Sequence, residues 1–241
     1  MSLEFLISKI KNNNFLLIGR AGVDIYPDPP GTKTENAEKY VTHLGGSSAN
    51  MGVQLSKYNG LCTLLTRVSN DALGKFVLNK LDYYGVNKDL IEFENNESRI
   101  SLAIVETTLK DHQSIIYRHN ASDLFLNKSD IEKANIINFE CILLTGTSLA
   151  AEPSRSAVLY ALDIAETNNI PVIMDIDYRP YTWESANKAK EIYNLAAEKC
   201  SGIIGNDDEF GVLAGNYNKG LDYAKKISSN CDLVIYKMGE K

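Results

Sequence analysis

Cysteine, histidine and long apolar runs are scarce in this chain, and each shortage removes a class of function. The four cysteines, Cys62, Cys141, Cys200 and Cys231, stand far apart with no C-x-x-C pair among them, so they build neither a disulfide scaffold nor a zinc ribbon. Three of them lie in or beside apolar runs and read as buried free thiols, which points to a reducing, cytoplasmic setting. The three histidines, His43, His112 and His119, all precede Ser148. That order matters because Gly146-Thr-Ser148-Leu-Ala150 is shaped like a nucleophile elbow, and the elbow fold needs its histidine after the serine; a hydrolase is excluded. No apolar run approaches the ~20 residues of a membrane span. An N-terminus carrying Glu4, Lys9, Lys11 and three consecutive asparagines is not a signal peptide. Basic residues are in deficit, 25 against 31 acidic, for a net charge of -6. That balance excludes a nucleic-acid footprint and a polybasic membrane patch. There is no Walker A loop either. What is there is a chain of 241 residues, 44% hydrophobic and 23% charged, enough for one α/β domain with a sizeable core and a small appendage.

The most informative stretch is Gly45-Gly46-Ser47-Ser48-Ala49-Asn50. It follows the apolar run Tyr40 to Leu44 and opens a helical segment, Ala49 to Tyr58, which Gly60 is placed to stop. Without Cβ atoms, Gly45 and Gly46 permit a sharp turn and close approach of a ligand. Ser47 or Ser48 is expected to cap the helix. The free N–H groups of the helix start can meet hydroxyl or carboxylate oxygens, and Asn50 adds a side chain that both donates and accepts. The same residues also read as an ordinary strand–turn–helix junction.

Along the chain, Phe15 to Gly19 reads as a buried first strand. The segment Gly19-Arg-Ala-Gly22-Val-Asp24 that ends it is not a dinucleotide fingerprint, because Pro27, Pro29 and Pro30 forbid the helix that would have to follow. Asp24 falls past a strand end, where ligands of open α/β sheets sit, or it is a turn aspartate. Leu61 to Val68 reads as a strand and Asp71 to Tyr84 as a helix closed by Gly85. Two extended runs, Arg99 to Thr107 and Gln113 to Arg118, form a hairpin signal. With Glu38 to Leu44 they make a small β lid, drawn from segments at about 25–44 and 97–119 of a single domain spanning 1–241. From Phe139 onward strands (139–145, 171–177, 202–205, 233–237) alternate with helices (154–167, 185–199, 207–214, 219–228). This argues for a mostly parallel sheet with helices on both faces. The chain ends just after its last strand, and it is expected to continue beyond Lys241, since α/β domains rarely leave that strand uncovered.

Two further constellations follow strand ends. Asp175-Ile-Asp177-Tyr-Arg179-Pro-Tyr-Thr-Trp183 sets a guanidinium beside two carboxylates; Arg179 can grip a carboxylate or phosphate through its fork, or close a weak loop ion pair with Asp177. Asn206-Asp-Asp-Glu209 either complements a helix N-terminus or organises Mg²⁺ and phosphate through water. Tyr117-Arg118, at the end of the second lid run, is either solvated or aimed at a ligand.

Together these residues resemble a known family. Gly45-Gly46-Ser-Ser-Ala-Asn50, with Asp24 ahead of it, looks like the first signature of the ribokinase-like (PfkB) carbohydrate kinases. Val234-Ile-Tyr-Lys237-Met-Gly239 is similar to the family's later K-x-G segment, and Asn206-x-x-Glu209 to its N-x-x-E motif. Gly19 to Asp24, Tyr117 to Leu126 and Asp177 to Trp183 resemble most the 5-dehydro-2-deoxygluconokinases of inositol catabolism; 2-keto-3-deoxygluconate kinases carry a looser version of the last. The resemblance implies a three-layer α/β/α sandwich and an ATP- and Mg²⁺-dependent kinase of a deoxy- or keto-sugar acid, with fructokinase a further alternative. It implies that Asp24, Gly45, Gly46 and Asn50 hold sugar hydroxyls. Tyr117, Arg118, Asp177 and Arg179 would belong to the same substrate site, with Arg118 and Arg179 meeting the carboxylate. Asn206, Glu209, Lys237 and Gly239 would serve the nucleotide, Glu209 reaching the metal through water. It implies a homodimer formed through the lid. The family's second signature, G-A-G-D, supplies the catalytic base, and it is absent from these 241 residues. The base is therefore expected beyond Lys241, or the chain is a non-catalytic sugar-acid-binding module.

Overall fold

A computed structural model describes residues 3–95, 97–108 and 110–239. Its strands, in chain order, are β1 (Asn14–Ile18), β2 (Gly22–Asp28), β3 (Lys39–Gly45), β4 (Leu61–Ser69), β5 (Ile91–Glu94) and β6 (Ser101–Val105). They continue with β7 (Ser114–Tyr117), β8 (Cys141–Thr145), β9 (Val172–Asp175), β10 (Gly202–Asn206) and β11 (Leu233–Lys237). The helices are α1 (Leu3–Lys9), α2 (Ser47–Lys57), α3 (Ala72–Tyr83), α4 (Lys128–Ala134), α5 (Ser154–Thr167), α6 (Ala186–Ala197), α7 (Asp207–Ala214) and α8 (Gly220–Ile227).

Seven strands form one sheet in the order β11-β10-β9-β8-β1-β4-β5, each neighbouring pair parallel. Period-two alternation in β1 sends its side chains to two cores. Leu16 and Ile18 join α4 to α8 on one face, while Phe15 and Leu17 join α2 and α3 on the other. A strand buried on both faces must be apolar throughout, which is why Phe15 to Ile18 has no polar residue. The result is the three-layer α/β/α sandwich. The remaining strands make a second sheet, β3-β2-β6-β7, with antiparallel pairs at its edges and β2 parallel to β6 within. Its root is tied to the main core by Val23, Leu44 and Ile100.

Several local expectations need correction. The end of α2 is turned by Asn59, left-handed at φ 64, and not by Gly60; asparagine tolerates that conformation. Neither Ser47 nor Ser48 caps α2. Its N-cap is Gly46, which has no side chain to do so, and both serines bond elsewhere. Asp24 is not a turn residue; past the end of β1, it lies within the further strand β2. Helices α1 and α4 and strand β5 were not expected. All are short, four to seven residues, below the length at which periodicity is legible.

Candidate active site

The crevice lies at the carboxyl ends of β1 and β8, where the chain order on the sheet reverses, the usual ligand position in an open α/β fold. Here the double glycine has a specific mechanical cause. A Cβ on Gly45 would come within 2.5 Å of Asp24 Cγ, and one on Gly46 (φ +95) would strike the Arg20 carbonyl and lie 2.8 Å from Ala21 Cα. The glycines therefore admit the Asp24 carboxylate and the Arg20 backbone into the turn. Ala49 N–H also donates to the Arg20 carbonyl, at 3.3 Å, so the β1–β2 connection is locked to the start of α2. Asp24 and Asn50 line one open cavity of about 470 Å³ together with His43 and Tyr26.

A second cavity, about 480 Å³, is lined by Arg118, His119, Glu152 and Tyr181. Arg118 is 7% exposed, ion-paired to the buried Asp123, and donates to the Thr147 carbonyl at 3.0 Å. It is not a solvated surface residue. Tyr117, 58% exposed, falls between Ile116 and Arg118, which both line this cavity; alternation on β7 turns it to the opposite face. The structure does not bring Tyr117 to the other site residues.

Asp177 follows β9, in the loop that carries Arg179 and Tyr181. Its backbone is left-handed, at φ 42, and its carboxylate accepts from Ser47 Oγ and pairs with Arg179 at 2.6 Å. The loop ion pair read from the sequence thus forms, in a residue whose backbone conformation costs about 1 kcal/mol. The loop is anchored by Trp183, packed 5.0 Å from the Tyr193 ring and 5.7 Å from the Arg155 guanidinium. Arg179 keeps its outer edge open, with 38% of its side chain exposed.

On the β10–β11 side, Asn206 and Glu209 form a capping box on α7: Glu209 N–H donates to Asn206 Oδ1 at 2.9 Å and Asn206 N–H to Glu209 Oε2 at 2.7 Å. Glu209 also accepts from Tyr178 N–H at 3.3 Å. Lys237 Nζ lies 3.6 Å from Asp175 and 3.9 Å from Glu209. Gly239 follows β11 at φ +56 with open space around it. A cavity of about 270 Å³ brings Arg179, Asn206 and Glu209 together. Because Glu209 is committed to backbone N–H groups, it suits a metal only through water. Among the described residues no group of three or more His, Cys, Asp or Glu could form a metal cage.

Burial raises the carboxyl pKa values across this region. For Asp24 the opposing influences are Arg20 and His43; for Asp175 burial is opposed by Lys237 and reinforced by Asp177; for Glu209 burial is opposed by the Asn206 N–H and Lys237. Tyr181 is likewise raised by burial, against the fields of Arg179, Arg20 and Arg118. Sequence reading missed Arg20, Ser47, Asp123 and Tyr181 as members. For Arg20 a signal existed: a charged residue between two glycines just past an apolar strand.

The fold and the crevice are those of a sugar-kinase scaffold, and the chain belongs to the pfkB family carbohydrate kinases, whose family pattern matches residues 12–241. A 5-dehydro-2-deoxygluconokinase from Photobacterium profundum is 34% identical over 230 residues, which are 93% of this chain and 70% of that relative. Among solved structures, 2-dehydro-3-deoxygluconokinase from Thermotoga maritima superposes with a TM-score of 0.80 at 18% identity, covering 91% of this chain and 70% of that one. A fructokinase variant from Vibrio cholerae O395, crystallised with fructose, ADP and potassium ion, gives 0.80 at 23% identity, covering 95% and 72%. No helix among the described residues is long and apolar enough to cross a membrane.

Proposed function

We propose that this carbohydrate kinase transfers the γ-phosphoryl group of ATP to a deoxy- or keto-sugar acid, with 5-dehydro-2-deoxygluconate the preferred acceptor, and that it works in the cytoplasm. The observation that carries the reading is that Arg118 lines one cavity with Tyr181 and Arg179, two residues before Tyr181, lines another, beside a cradle of Asp24, Gly45, Gly46 and Asn50. A guanidinium fork matches a carboxylate, and Arg179 keeps an open edge toward the crevice.

Asp24 and Asn50 hold sugar hydroxyls in their shared cavity. Asp177 orients Arg179 and ties it to the α2 start through Ser47. Asn206 and Glu209 position hydrated Mg²⁺, which when bound neutralises charge on the phosphates, while Lys237 and Gly239 serve the nucleotide. The small sheet, within segments 25–44 and 97–119, covers the sugar as a lid and excludes water; a second copy of the chain meets it there. The sequence contains no G-A-G-D segment, so no base is assigned among these residues.

A coupled ADP-release assay on the full-length protein tests the reading. Arg179→Lys should raise KM for the acid sugar by about tenfold, the equivalent of ~1.4 kcal/mol, and leave a neutral acceptor such as fructose unaffected. An unchanged KM for the acid would overturn it.

A further inference from the structure

Of the three guanidinium groups Arg20, Arg118 and Arg179, two already have carboxylate partners, Asp123 for Arg118 and Asp177 for Arg179. The third, Arg20, is 8% exposed. Among the described residues its only hydrogen bond is a long one, 3.4 Å, to the Ser101 hydroxyl. Its Nε is buried with no partner, and no carboxylate of those residues lies within 4.0 Å of it. A guanidinium cannot shed its proton to relieve burial, and a buried cation left without an anion is costly. Nor can Arg20 swing away at its root, because its carbonyl is clamped between the Gly46 turn and Ala49 N–H. The group therefore stays charged, with no carboxylate hydrogen-bonded to it among the described residues. It stands just past the carboxyl end of β1, against the Gly46 turn that opens the crevice.

We propose that Arg20 is the specificity-determining residue of this kinase: its preorganised, unpaired guanidinium receives the carboxylate of the acid sugar and sets the preference for acids over neutral sugars. Arg118 and Arg179 contribute hydrogen bonds to the same anion, but their charges are already balanced within the protein. A neutral sugar would leave Arg20 as unpaired as it is without substrate, so discrimination arises from the missing partner and not from a clash. The inference rests on the sugar-acid reading above and names the residue that enforces it.

Calorimetric titration of the full-length protein with 5-dehydro-2-deoxygluconate and with fructose, for the native chain, Arg20→Met and Arg20→Lys, tests it alongside melting curves. The native protein should prefer the acid. Arg20→Met should weaken acid binding by about 100-fold or more, as loss of one member of a buried charge pair does, with fructose affinity and melting temperature maintained or raised. Arg20→Lys, which keeps the charge but not the fork, should recover part of the loss. If Arg20→Met does not fold, Arg20→Gln carries the same expectation. A native protein indifferent to the acid would sink the sugar-acid reading itself. A native protein that prefers the acid, with Arg20→Met equally selective, would overturn the Arg20 assignment alone. So would an equal loss of both sugars accompanied by a lower melting temperature, which would mark Arg20 as structural.

Discussion

Gly46 and Gly239 both hold left-handed backbones, yet a methyl group on the first would strike the Arg20 carbonyl, and a methyl on the second would meet nothing within 4 Å. That contrast extends to the two flanks of the crevice. On the β1–β8 flank the residues behind the site are buried, and the turn is interlocked with β2 and α2. On the β11 flank the strand is half-exposed throughout, and the site residues are held by one capping box and by Lys237 contacts of 3.6 and 3.9 Å. Among the described residues, the β1–β8 flank is thus held by backbone packing and the β10–β11 flank mainly by side-chain electrostatics.

Substitution at the two glycines should break the comparison most sharply. Gly46→Ala should destabilise the fold by about 2–5 kcal/mol, combining the left-handed penalty with overpacking, whereas Gly239→Ala should cost only ~1–2 kcal/mol; chemical denaturation measures both. Comparable losses would mean the flanks are equally tight. Next in size, Asn50→Ala should weaken sugar binding by about 1–3 kcal/mol, the range for a polar partner left unpaired, with the melting temperature nearly constant. A lower melting temperature with unchanged binding would assign Asn50 to the α2 start instead. Asn206→Ala removes a cap and should cost ~1 kcal/mol of stability; stability unchanged to within error would show that the Glu209 contacts alone hold α7. The smallest effect tests the electrostatic flank by pH. Burial raises the Asp175 pKa, so the folded state takes up its proton more readily than the unfolded chain. The associated stability is present in full below the unfolded pKa of about 4 and is lost as pH rises through the folded value. Asp175→Asn should therefore raise the melting temperature by about 2–4 °C at pH 7, with the gain vanishing below about pH 4. A pH-independent gain would point to packing and not charge.

How far the chain could be read in advance follows the same division between local and tertiary causes. Helices α5 and α7 and strand β11 have the boundaries their patterns predict, because Pro153, the Asn206 cap and the apolar run 233–236 are local signals. α4 was missed although Asn127 and Asp130 form a capping box, since seven residues leave no periodicity to see. Ser47 and Ser48 looked like caps, but their hydroxyls are drawn to Asp177 and to the Ile18 carbonyl, residues 130 and 30 positions away. Within the site, the closeness of Asp24 to the double glycine was implied by the shared motif. The burial of Arg118 against Asp123, and Arg20 without a carboxylate, depend on which strands become neighbours. No window of sequence contains that information.

The position of β1 in the sheet has a consequence in time. Leu17 pairs with Leu64 on one side and Leu143 on the other. At the ~5–20 residues per second of synthesis, roughly 6–25 s separate the emergence of Leu17 from that of Leu143. For that interval an apolar, fully interior strand has an open edge and an uncovered face, in a topology whose long-range parallel pairings close slowly in any case. The nascent chain therefore carries an unpaired apolar edge for that interval. The length of that exposure is set by how late β8 is made, and strengthening contacts in the finished fold would not shorten the wait.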